Sequence, residues 1–161
     1  MLDPKDYAYF TDRALDGMAT IIGDLGDDLA NRRPSLPGAN SPYALLTHCL
    51  GVISYWSGHM VAGRPVERDR DAEFTSAGLV VPLLAQIAGV KAQLAADAEH
   101  ANPSAPLHDT PPSNFKGPDR PLNQGAALQH VFEELAQHHG QMELMRDVIV
   151  AEFNGQLQAS Q

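Results

Sequence analysis

Apolar residues recur at three- and four-residue spacing along most of this chain, and the valine–isoleucine alternation of strands is almost absent. That period predicts helices. The first opens at Asp3-Pro4, a capping side chain followed by proline at the first helical position, and is expected to reach about Ala30. Gly17, Gly23 and Gly26 are its weak points. The stretch NRRPSLPGAN (31–40) reads as a turn-rich connection, and Ser41-Pro42 then repeats the cap-and-proline signature to open a second helix to about Ala62. Residues 63–78 are polar and charged and read as a connection. Pro82 marks the first turn of a third helix ending near Ala98. Residues 99–121 carry six prolines and no period, and a connection of that length acts as a lid or is mobile. A fourth helix is expected from near Asn123 to about Phe153, followed by a frayed tail, NGQLQASQ. Four such helices predict an all-α four-helix bundle in one domain spanning 1–161, with a crossover before the last helix.

The polar residues that interrupt the apolar faces carry the candidate chemistry. On a wheel of roughly 100° per residue with His130 at zero, Glu134 falls near 40°, His138 near 80° and His139 near 180°. Leu128, Val131, Leu135, Met142, Met145 and Ile149 centre near about 110° on the same wheel, so His138 lies inside the apolar stripe and Glu134 on its shoulder. A buried carboxylate needs a counter-charge, and a divalent metal supplies one. His48 lies at the edge of the stripe formed by Leu45, Cys49, Val52 and Trp56 on the second helix. Together His48, Glu134 and His138 make a His2Glu set with one open position, the pattern of a catalytic zinc. Two other readings stand beside it: hydrogen-bonded core histidines, and an i,i+4 Glu–His pair on a solvated face. His130, one turn before Glu134, is a fourth ligand, a group orienting Glu134 from behind, or an exposed side chain. His59 shares the face of His48 but lies about 16 Å further along the axis, too far to hold the same ion. His139 points away from the core and should be solvated, and His100 and His108 fall in or beside the proline-rich connection.

Composition narrows the partners. Twenty acids against 11 bases give a net charge of −9, which disfavours nucleic acid and anionic membrane as partners. Cys49 is the sole cysteine, so no intrachain disulfide forms, and a reducing, cytoplasmic setting is expected. The start, MLDPKDYAYF, lacks the pattern of a signal peptide, and no apolar run has the length of a membrane span. There is no glycine-rich phosphate loop and no GxSxG elbow, and DRDAEF has too few spaced acids for a calcium loop.

NRRPSLPGANSPYALLTHCLGVISYW followed by HVFEELAQHHGQ resembles the DinB-like superfamily of helical bundles over nearly the whole chain. The last motif usually reads His-x3-His-x3-His-His-x-Gly-Gln or a close relative; here Glu134 replaces the middle histidine. That variant resembles the metal domain of mycothiol-dependent maleylpyruvate isomerases and of mycothiol S-transferases. The resemblance implies an up-up-down-down bundle, a homodimer, and zinc or nickel held by His48, Glu134 and His138. It also implies a thiol such as mycothiol as cosubstrate, attacking a small electrophile as the metal-activated thiolate. The isomerases carry a second, C-terminal domain that these 161 residues lack, which favours the S-transferase reading. A bundle that binds or hydrolyses a small molecule without thiol transfer is the alternative. His130 and Tyr55 are expected behind the ligands, and Arg64, at the end of the second helix, is expected to bind a carboxylate of thiol or substrate.

Overall fold

The computed structural model describes residues 3–160 and is all-α, with no strand among them. Helix α1 (Pro4–Ala30) starts where the Asp3 carboxylate accepts the Lys5 N–H at 2.8 Å. Of its glycines only Gly26 breaks the helical path, at φ 65°, ψ −177°. Helix α2 (Pro42–Val52) is capped by Ser41, whose Oγ accepts the Ala44 N–H at 3.2 Å. From Ile53 to Val61 the same rod widens into a π-helical segment, which ends at Gly63 in the left-handed region (φ 69°). Such widening is a feature the apolar period does not encode.

The charged stretch 63–78 is more than a connection. It holds a short helix, α3 (Arg70–Thr75), capped by Asp69 and anchored by buried Glu73. Six residues are too few to show a helical period. The third predicted helix is two pieces, α4 (Val80–Leu84) and α5 (Ile87–His100), with Pro82 the third residue of the first piece. Asn123 caps α6 (Gln124–Ala159), accepting the Ala126 N–H at 2.9 Å. The tail expected to fray is helical to Ala159, and the 31–40 connection packs where it begins: the Arg32 guanidinium lies over the Phe153 ring at 5.5 Å and reaches Gln156 at 3.2 Å, and the Ser35 N–H reaches Glu152 at 3.0 Å.

Helix α1 packs on α6, α5, α4 and α2, and the π segment packs on α5 and α6. Leu15, Met18 and Ile22 of α1, Leu45, Leu46 and Met60 of the α2 rod, Leu94 of α5 and Leu135, Met142 and Ile149 of α6 are fully buried in one core. No helix among the described residues is long and apolar enough to cross a membrane.

The segment between α5 and α6 is tied to the rod it crosses. The His108 N–H bonds the Met60 carbonyl at 2.9 Å, and its ring sits against Gly63. His59 reaches Asp109 at 3.1 Å and the Arg64 carbonyl at 2.8 Å. Phe115 packs on Trp56, with ring centroids 4.6 Å apart. His139, expected in solvent, is half-buried against Gly17 of α1, where any side chain would collide with its ring. A glycine on the facing helix made room that a wheel of α6 alone cannot show.

Candidate metal centre

Helix α6 carries Glu134 and His138 one turn apart, and α2 brings His48 to them. His48 Nε2 and His138 Nε2 each lie 3.3 Å from the same oxygen, Glu134 Oε2. The two imidazoles stand edge to face, 5.1 Å between centroids. One ligand atom from each of the three residues lies within 4.8 Å of the others. His48 is 2% exposed, deeper than its place at the margin of an apolar stripe suggested. His138 and Glu134 are half-buried.

His48 Nδ1 lies 2.8 Å from buried Glu73, and His138 Nδ1 lies 2.9 Å from Gln141 Oε1. An acceptor at each Nδ1 gives the ring proton a partner there, which frees each Nε2 lone pair to meet a cation. Two nitrogen lone pairs and a carboxylate oxygen then converge, which is unfavourable unless a proton or a cation lies among them. Zinc ligands at 2.0–2.1 Å in a tetrahedron sit about 3.3 Å apart, the separation of both Nε2 atoms from Glu134. The donor set and these two separations suit a divalent ion, with Glu73 and Gln141 beside the Nδ1 atoms as partners that would orient the histidines.

Without a cation the cluster holds protons. Burial opposes charge on His48, but hydrogen bonds to Glu134 and Glu73 outweigh it, and its pKa lies above the usual 6.5. Bonds from His138 and His48 hold the Glu134 carboxyl far below the carboxylate range. Burial raises Glu73, yet His48 and Arg68 outweigh it and its pKa is lowered. Arg68 contacts both Glu73 oxygens, at 2.7 and 2.9 Å, and lies over the Tyr55 ring at 5.6 Å. Gly51 is required here, because a methyl at that position would run into the Glu73 carboxylate. Phe74 stacks on His48 at 4.4 Å.

His130 Nε2 is 3.8 Å from Glu134 Oε1, and its ring is wedged between Trp56 and Phe115 at 4.7 and 5.0 Å. Tyr55 stands behind the cluster, touching it through Arg68 and Glu73. Arg64 is brought elsewhere: its guanidinium grips buried Asp97 with two hydrogen bonds, so the carboxylate it binds is one of the chain's own. His59 stays with Asp109 and the Arg64 carbonyl, outside the cluster. Reading the sequence missed Glu73, Arg68 and Gln141. Gln141 had a signal, three residues after His138 on the same helical face. Glu73 had only the Asp69 cap ahead of it.

Above the cluster lies a cavity of about 790 Å³. His48, Glu134 and His130 line it, with Val52, Trp56, Phe115 and Leu122 as apolar wall.

An all-helical protein with two histidines and a glutamate poised around one point defines a class of candidate metalloprotein. The chain belongs to the mycothiol S-transferase family, a DinB-like family whose profile matches residues 8–151. A solved structure described as the conserved protein of locus from Enterococcus faecalis superposes with a TM-score of 0.69. It covers 94% of this chain and 99% of its own, at 15% identity, a likeness of fold alone. No curated protein matches this chain.

Proposed function

We propose that this protein is a metal-dependent S-transferase that joins a low-molecular-weight thiol of the mycothiol type to a small electrophile. Family membership supports the thiol chemistry. The observation that carries the metal is the pair of imidazoles whose Nδ1 atoms face Glu73 and Gln141 while both Nε2 atoms face Glu134. We further read the helices as the up-up-down-down bundle of DinB-like proteins, and the protein as a cytoplasmic homodimer.

His48, Glu134 and His138 would hold zinc or nickel, which when bound lowers the pKa of a coordinated thiol so that thiolate exists at neutral pH. Glu134 brings one negative charge, leaving a divalent site net positive toward an anionic sulfur. His130 lines the cavity beside Glu134 and is placed to take the thiol proton. Trp56 and Phe115 exclude water and seat the electrophile against the reacting end. In the transfer a sulfur–carbon bond forms and the leaving group departs with its electron pair. Tyr55 acts through Arg68 by holding it on Glu73; Arg64 serves the fold through Asp97.

Protein purified without a histidine tag should carry about one zinc or nickel per chain, since three protein ligands make one site. It should then conjugate monochlorobimane with mycothiol, releasing chloride. His138→Ala should abolish both. Full metal with no conjugate from mycothiol, bacillithiol, glutathione or coenzyme A would reject thiol transfer and leave a hydrolytic or binding site. Absence of metal after supplementation would reject the centre itself.

A further inference from the structure

The charge of the cavity runs against the charge of the chain. Of 11 bases in the sequence, four line it: Arg68, Arg70, Lys116 and Arg120. Of 20 acids, two line it, Glu133 and Glu134. Arg68 is committed to Glu73. The other three cations form no ion pair among the described residues: Arg70 lies over the Phe74 ring at 5.0 Å, and the Arg120 guanidinium donates only to the Pro121 carbonyl at 3.3 Å. They also come from two walls. Arg70 opens α3, while Lys116 and Arg120 sit on the segment before α6 that Phe115 pins to Trp56 and His130.

Three uncommitted cations around one cavity repel one another. On a chain of charge −9 they would be easier to place almost anywhere else, beside its surplus acids. Neither lining acid pairs with them: Glu134 faces His48 and His138 at 3.3 Å, and Glu133 faces His130 at 3.4 Å. We propose that this cavity selects a small second substrate bearing a carboxylate or a phosphate, clasped between Arg70 on one wall and Lys116 and Arg120 on the other. Guanidinium forks match both groups, and the volume suits a small molecule rather than a chain segment. The anion is held at the cavity walls and leaves the remainder of the molecule free to face the cluster. Calling the ligand a second substrate rests on the transferase reading; the charge preference does not.

The test uses metal-loaded protein and Trp56, the sole tryptophan, as reporter, since it lines the cavity. Benzoate, phenyl phosphate and neutral benzamide are titrated against its emission. At least one anion is expected to bind about tenfold more tightly than benzamide, a preference that shrinks at about 0.5 M salt. The two anionic arms tell carboxylate from phosphate. The preference should vanish in the Arg70→Gln/Lys116→Gln/Arg120→Gln variant, with metal content unchanged. The Lys116→Gln/Arg120→Gln pair touches nothing packed on His48 and should lose part of it, which keeps the test valid if the triple variant loses metal. Equal binding of anion and amide by the unaltered protein overturns the proposal. So does an anion preference that survives all three substitutions, which would assign it to the metal. Failure of mycothiol conjugation alters none of these titrations, so the two readings fail separately.

Discussion

Glu73→Gln tests whether the buried carboxylate behind His48 tunes a metal or only fills space. Glutamine keeps the volume and offers an oxygen to His48 Nδ1, but it removes the charge that Arg68 and His48 share. His48 is 2% exposed and Glu73 8%, so solvent screens this contact little. Orienting partners of metal-bound histidines are worth about 10–100-fold in metal affinity, or roughly 1.4–2.7 kcal/mol. Gly51→Ala supplies the same perturbation without touching charge, because the added methyl would push the Glu73 carboxylate off His48. Zinc affinity measured by competition with a chromophoric chelator should fall at least about tenfold in both variants. His59→Ala, on the far turn, should leave it unchanged. Affinity within twofold of the unaltered protein for both Glu73→Gln and Gly51→Ala would refute the assignment of Glu73 to the metal.

Three further outcomes follow from the charges. In metal-free protein the folded-state pKa of His48 is raised, so its stabilisation is full below the unfolded value of 6.5 and is lost as pH rises through the higher folded value. Urea midpoints of the metal-free form should therefore fall as pH climbs past that window, while those of the zinc form should not, and zinc uptake near neutral pH should release protons to an indicator dye. Arg64→Ala leaves the Asp97 carboxylate with only Ser57 and Gln93 as partners. Because Arg64 is part-exposed, the expected cost is about 2 kcal/mol of unfolding free energy rather than the full penalty of a buried pair, with metal content and conjugation unchanged.

The long-range pattern of the fold was legible because it is periodic. Caps at Asp3, Ser41 and Asn123 start helices where the sequence announces them, each by a side-chain oxygen accepting an amide two or three residues on. What escaped was set by neighbours rather than by period. Helix α3 is docked through Glu73 on His48 and Arg68, and α6 is met at Glu152 and Gln156 by Ser35 and Arg32. The convergence of His48, Glu134 and His138 was legible for a related reason: a carboxylate on the shoulder of an apolar stripe is costly without a counter-charge, and that cost is visible in one dimension. Arg64 misled because its partner, Asp97, lies 33 residues away on α5, and no spacing rule reaches so far.

The cluster and the carboxylate behind it come from three separated segments, α2, α3 and α6, and that has a thermodynamic consequence. His48 presents its Nε2 lone pair only while Glu73 holds its Nδ1 proton, and Glu73 is there only while α3 is folded against α2. Removing α3 would leave His48 free to place its proton on Nε2, facing Glu134, where it competes with any cation. Were the three side chains to bind a metal, its affinity and the docking of this six-residue helix would be linked. The same helix carries Arg70 at its start, on the wall of the cavity. On the proposed reading, whatever orders α3 would favour both the lone pair offered to an ion and the charge offered to a ligand, and a substrate gripping Arg70 would by linkage tighten metal binding.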